Sequence, residues 1–589
     1  MSRPVSQAAA ARLADHSADA RMAVLAAAAI VVGTGGALGA WLLLKLIALA
    51  TNLFWFGRIS AASAEIVDAD VGLAVVAIPV IGSLIIGLMA RFGSEKIRGH
   101  GIPEAIEAIL YGESRLSLRV AVLKPISSAI SIGSGGPFGA EGPIIMTGGA
   151  IGSLFAQCFR LSAAERKTLL VAGAAAGMTG IFGTPVAALL LAIEVLLFEW
   201  KPRSFVPVVV AALVAFGWRP WLLGAGPLFP VAAAAMPPLG TVLALGLVLG
   251  MVVGLEAALL SALLYRIEDF FHRLPIHWMW WPAIGAVAVG LGGLVDAHVL
   301  GAGYANIDSL LQGSLTLRVV LALLVVKAVV WLIALGSGTS GGVLAPLLIL
   351  GGALGYMFGS FLPGSPGFWA MIGMAAIMSG AMRAPLTGAL FAAELTGRFD
   401  ALPVTIAAAT GAYAVSVLVM RRSILTEKIA RRGRHILQEY TVDPLDFLQA
   451  GDVMTAAPET LDAAMPAGDA IAFFTERATH RSYPVVDAEG RLCGLMSRSD
   501  ALRWQTDGVD YRLPLGELLS DASQPAAFAD TPIGSVADLM IETGIGRIPI
   551  VESGGGRVVG ILSRHDLLKA RSMRRREELL RLRKPSTTV

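Results

Sequence analysis

Charge is scarce in this chain. Of its 589 residues only 15% are Asp, Glu, Lys or Arg, while 55% are hydrophobic, and the mean hydropathy is +0.70. Soluble domains carry about 25% charge, so a soluble globular protein is excluded. Cysteine is nearly absent. Cys158 and Cys493 lie most of the chain apart, which rules out a disulfide framework or a cysteine metal site. The eight histidines are scattered, and no His-Glu-x-x-His occurs, so a zinc protease is excluded. His100 and Glu104 are four apart, but the Gly-Ile-Pro between them is poor helix for paired ligands. Acids inside the apolar stretches are too few for a cation pore. The net charge of +3 says little, and no nucleic-acid partner is expected.

What is present is apolar and long. Met22 to Phe54, Val71 to Met89, Val242 to Leu264, Val319 to Leu335 and Leu402 to Met420 are each long enough to cross a bilayer. Shorter runs between them are interrupted by Gly and Pro. The fold class is therefore an all-α polytopic membrane protein. The run after residues 1–21 is too long for a signal-peptide core and reads as the first span. Arg3, Arg12 and Arg21 precede it, and "RRSILTEKIARRGRH" (Arg421 to His435) ends the apolar region. By the positive-inside rule both ends face the cytoplasm, so the crossings should be even in number. "HWMWWP" (His277 to Pro282) reads as an interfacial aromatic belt.

After residue 435 the composition changes. A linker at 436–451 leads into two similar segments, "YPVVDAEGRLCGLMSRSDALR" (Tyr483 to Arg503) and "IPIVESGGGRVVGILSRHDLLK" (Ile548 to Lys569). Each reads as a strand, a turn, a second strand, then Ser-Arg-x-Asp opening a helix. The Pro pair is offset by 65 residues (549 − 484) and the Asp pair by 66 (566 − 500), which suggests two packed copies of one αβ module. These resemble tandem CBS domains, placed at 452–510 and 511–572. The resemblance implies an adenine nucleotide (ATP, ADP or AMP) held by Ser497, Asp500, Ser563 and Asp566, with the Asp on the ribose. The same pairs also read as plain helix caps. The tail at 573–589 is expected to be a solvated basic helix.

A second repeat lies in the apolar region. "GSGGPFGAEGP" starts at Gly133 and "GSGTSGGVLAP" at Gly336, 203 residues later (336 − 133). "TPVAALLLAIE" ends at Glu194 and "APLTGALFAAE" at Glu394, 200 later (394 − 194), each with Pro nine residues before its Glu. Matched Gly/Pro-interrupted segments in two halves point to a transport site. Lipid cannot satisfy free backbone N–H groups, so broken helices persist only around a protein-lined cavity. A helix N-terminus offers unpaired N–H groups and partial positive charge. Two such ends facing one point make an anion site with no need of a buried lysine or arginine.

The region 22–435 resembles the CLC chloride channel and transporter family. "GHGIPE" (Gly99 to Glu104), "GSGGPFGAEGP", "GSGTSGGVLAP" and "RRSILTEKIARRG" carry the resemblance in order. It implies two inverted halves, about 22–225 and 239–435, one anion pathway per subunit, a homodimer in a plasma membrane, and chloride as the transported ion. Transport rather than catalysis is implied, with no required cofactor and no metal. Glu141 stands at the family's gating glutamate: ionised, it occupies the anion's seat; protonated, it swings away. Ser134, Gly135, Gly101, Gly342, Val343 and Leu344 would border the pathway.

Several positions depart from the family pattern. The residue before the gate, usually Arg, is Ala140. The inner proton-carrying glutamate of coupled antiporters is Val195, which favours passive conduction over proton-coupled exchange, the alternative. Glu199, a turn further on, reads either as its substitute or as an interfacial side chain. The serine of the central anion site is His100, which could donate an N–H to chloride or point away. The tyrosine position is Leu425, with Thr426 as the neighbouring hydroxyl, and the familiar Phe is Leu344.

Overall fold

The computed structural model describes residues 20–159, 161–231, 238–433, 448–519, 525–554 and 556–569. The N-terminal segment to residue 19, linker residues 436–447 and the tail 573–589 lie outside them. The described chain forms two compact units, 20–433 and 448–569.

The first unit is helical. Among the described residues seven helices are long and apolar enough to span a membrane: Arg21–Phe56, Ala74–Phe92, Pro202–Leu222, Leu239–His272, Trp278–Val295, Leu317–Gly336 and Phe399–Val419. Five correspond to the apolar runs of the sequence. Pro202–Leu222 is masked in the sequence by Pro207 and Pro220, and Trp278–Val295 by its tryptophan-rich start. Shorter buried helices lie among them. Glu141–Gln157 packs on Ala163–Phe182, and Leu344–Gly359 packs on Pro366–Met382. In both pairs glycine faces glycine: Gly148 meets Gly173 and Gly351 meets Gly373, so backbones touch where side chains would otherwise sit.

The repeat seen in the sequence is a repeat of contacts. The Glu394 carboxylate accepts hydrogen bonds from the amides of Val186 (3.1 Å) and Ala187 (2.8 Å), the first turn of the helix Pro185–Leu191. Reciprocally, Glu194 accepts from the amides of Leu386 (3.3 Å) and Thr387 (2.8 Å) and from the Thr387 hydroxyl (2.6 Å), at the start of Pro385–Thr396. Each half thus caps a helix of the other with a carboxylate, the charge a helix N-terminus favours.

The second unit holds two small sheets of matching topology. Leu461–Asp462 runs parallel to Ser482–Val486, which pairs antiparallel with Leu492–Ser497. Ala527–Phe528 runs parallel to Arg547–Val551, antiparallel to Val558–Ser563. Pro484 and Pro549 hold equivalent places, opposite Leu495 and Ile561.

Candidate anion pathway

The two Gly-Ser-Gly breaks meet. Gly139 pairs with Gly342 in an antiparallel bridge, the Gly342 amide donating to the Gly139 carbonyl at 3.1 Å. Just beyond the bridge two helices begin, Glu141–Gln157 capped by Ala140 and Leu344–Gly359 capped by Val343. Their N-termini therefore converge. Glu141 is fully buried between them. Its Oε1 accepts from the Ala345 amide, and the Leu344 amide also bonds the carboxylate. Its Oε2 has no partner among the described residues. The cradle is glycine by necessity: a Cβ on Gly139 would enter the carboxylate, and one on Gly342 would lie 3.2 Å from its carbon.

His100 approaches from one side. The Gly99 amide donates to the Thr339 carbonyl at 2.8 Å, which seats the His100 loop on the other half's break. Gly101, with φ of 89°, caps Ile102–Tyr111, and its amide donates to Glu104 Oε2 at 3.1 Å. The His100 backbone lies against Gly142 in the first turn of the Glu141 helix. The imidazole is 3% exposed, and neither ring nitrogen has a partner among the described residues. It borders a cavity of about 770 Å³ whose charged lining includes Lys428, Arg431, Arg432 and Glu104. Lys428 and Glu104 pair at 2.9 Å.

A second cavity of about 650 Å³, sharing no lining residue with the first, reaches Gly301, Gly303 and Tyr304. The Tyr304 hydroxyl accepts from the Ala140 amide at 3.3 Å. Nothing in the sequence singled out Tyr304.

Two lysines, Lys124 and Lys327, are fully buried, and both bond the loops rather than Glu141. Lys124 Nζ donates to the carbonyls of Ile97 (2.8 Å) and Gly99 (2.7 Å) and to Ser340 Oγ (3.2 Å). Lys327 Nζ donates to the carbonyls of Val299 (3.1 Å) and Gly301 (3.3 Å). The two lysines are 203 residues apart (327 − 124), the spacing of the breaks themselves. The amides of Gly99 and Gly301 then reach the other half, at Thr339 (2.8 Å) and Gly135 (3.0 Å). The lysines are symmetric straps on the loops that flank the gate. Buried carbonyls need such donors.

Ser134 ends the helix Leu118–Gly133, and its hydroxyl donates to the Ser131 carbonyl at 3.2 Å. Val195 is buried in a π-helical turn, Ala192–Leu197. Glu199 accepts from Ser204 Oγ at 2.9 Å and pairs with Lys167 (3.5 Å) and Lys201 (3.4 Å). Leu425 is buried, and the Thr426 hydroxyl is engaged with Ser423 Oγ at 3.1 Å. In the second unit, Ser497 and Asp500 form a reciprocal cap, the Ser497 amide donating to Asp500 Oδ2 at 2.9 Å. Ser563 and Asp566 do the same at 2.8 Å. Among the described residues no His, Cys, Asp or Glu cluster has the geometry to hold a metal.

A bundle of this size with two broken-helix N-termini meeting over one buried carboxylate defines a transporter or channel for anions. The family model described as voltage gated chloride channel matches residues 81–417, and that for the CBS domain matches 450–507 and 522–572. The chain belongs to the CLC family of chloride channels and transporters, with a tandem CBS pair, and is an integral membrane protein of anion transport. The H(+)/Cl(-) exchange transporter ClcA of Yersinia pestis is 29% identical over 360 residues, covering 58% of this chain and 74% of that protein. A putative chloride channel protein, ClcB-like, of Ralstonia nicotianae is 28% identical over 374 residues, covering 60% and 85%. Among solved structures, a slow cyanobacterial Cl-/H+ antiporter superposes with a TM-score of 0.61 at 23% identity, over 71% of this chain and 99% of that one. A eukaryotic CLC transporter gives 0.58 at 20% identity, over 93% and 99%.

Proposed function

We propose that this chain is a homodimeric chloride transporter of a cytoplasmic membrane, with one pathway per subunit, both termini cytoplasmic, and Glu141 as its protonatable gate. The observation that carries this reading is the Glu141 carboxylate on the Ala345 amide, where the two helix N-termini converge. An ionised carboxylate there occupies the seat a chloride would take, and protonation vacates it. On this reading His100 donates one N–H to chloride from the Lys428 side, where the basic groups mark the cytoplasmic face.

Exchange of chloride for protons is the mode that the likeness to proteins named exchange transporters supports, at 29% identity. Passive conduction has one observation in its favour, the aliphatic Val195 where coupled antiporters carry a proton, with Glu199 tied to two lysines. The deciding experiment is the reversal potential in proteoliposomes at fixed chloride under a proton gradient. A potential that follows the proton gradient means exchange, one that ignores it means passive conduction, and the absence of any chloride flux overturns the reading.

A further inference from the structure

The Tyr304 hydroxyl occupies an unusual place. Tyr304 lines the 650 Å³ cavity, and its hydroxyl accepts the amide hydrogen of Ala140, the residue that caps the gate helix. That is its only hydrogen bond among the described residues, so its own O–H proton has no acceptor there. A half-buried hydroxyl gains by finding one. The ring is fixed by edge and tilted contacts with Phe182 (centroids 6.4 Å) and Phe229 (6.3 Å), which hold the hydroxyl in place. The loop behind it, Gly301 to Gly303, is strapped by Lys327, whose ammonium lies close against Gly303 and has no carboxylate partner among the described residues. The family's arginine before the gate is absent, and the fully buried Ala140 stands in its place. Lys45, Glu65 and Asp68 also line the cavity, but they are solvent-exposed at its rim and screened by water and salt.

We propose that Tyr304 forms a further anion subsite, on the far side of Glu141 from His100, in which its O–H donates to a small monovalent anion waiting to enter the gate. The Ala140 amide polarises the hydroxyl, so the donor is stronger than an isolated phenol. Lys327 is a positioning residue for this subsite: it holds the loop that carries Tyr304. The inference rests on the proposed chloride transport and adds a station to its path.

Tyr304→Phe is the test, because it removes one oxygen and keeps the ring packing. The full chain is reconstituted in one orientation, and the half-saturating chloride concentration for flux is measured separately from each face. The expected result is a weakening of about tenfold from the Tyr304 face only, the effect of one lost hydrogen bond to an ion. The same loss is expected when Glu141→Gln is the background. An unchanged concentration, or an equal change from both faces, overturns the subsite. So does an effect that vanishes in the Glu141→Gln background, since the hydroxyl would then serve the carboxylate instead. Flux that depends on Glu141 but not on Tyr304 leaves the functional reading standing, whereas wild-type protein with no chloride flux removes both.

Discussion

Replacing Glu141 by Gln isolates the charge of the gate from its shape. The carboxylate is held by the amides of Ala345 and Leu344. A hydrogen bond to a charged group contributes about 1.5–3 kcal/mol and a neutral one about 0.5–1.5 kcal/mol. The single carboxamide oxygen can still accept from both amides but loses about 1–1.5 kcal/mol at each, or about 2–3 kcal/mol for the pair. Since about 1.4 kcal/mol is tenfold, a competing chloride should bind the seat about 30- to 140-fold more tightly in the variant. The sign with pH follows from the same competition. Lowering the pH protonates the carboxylate, weakens its hold and frees the seat, so wild-type flux should rise with acid. The Gln side chain does not titrate, so its flux should be flat over the same range. Chloride titration calorimetry in detergent reads the affinity, and proteoliposome flux reads the pH profile. A Gln variant with wild-type chloride affinity and a wild-type pH profile would refute the competition.

Glu394→Ala should leave the Val186 and Ala187 amides unpaired in an apolar setting and cost about 2–6 kcal/mol of stability, with Glu394→Gln much milder. Thermal unfolding in detergent checks this, and equal melting temperatures for the Ala variant and wild type would contradict the exchanged caps. Asp566→Ala should destabilise its module by about 1 kcal/mol through loss of the helix cap, read by denaturant unfolding. Calorimetry with ATP on the same pair separates two roles: a binding heat lost in the variant assigns the carboxylate to a nucleotide as well, and equal heats leave it a cap.

The sequence made the duplication plain because glycine breaks and the Pro-to-Glu spacing are local patterns that recur at one offset. Glu141 was legible for the same reason: an acid inside a glycine-rich break of an apolar chain has few structural uses. The straps were not legible. A lysine such as Lys327, set in "LLVVKAVV", reads as a side chain reaching for an interface, and only the folded chain shows the Val299 and Gly301 carbonyls that receive it. Tyr304 was missed because its role depends on Ala140, 164 residues away. The exchange of Glu194 and Glu394 between halves is likewise a matter of tertiary pairing: each carboxylate could equally have been drawn to its own helix. Pro202–Leu222 was missed because internal proline reads as a break, although a first-turn proline and a helix packed against neighbours tolerate it.

Anion density at the gate tests the central idea most directly. Crystals of the Glu141→Gln variant grown in bromide should show an anomalous peak within hydrogen-bond reach of the Ala345 amide, in the hollow between Gly139 and Gly342. A variant in which that hollow stays empty while bromide collects elsewhere would contradict it.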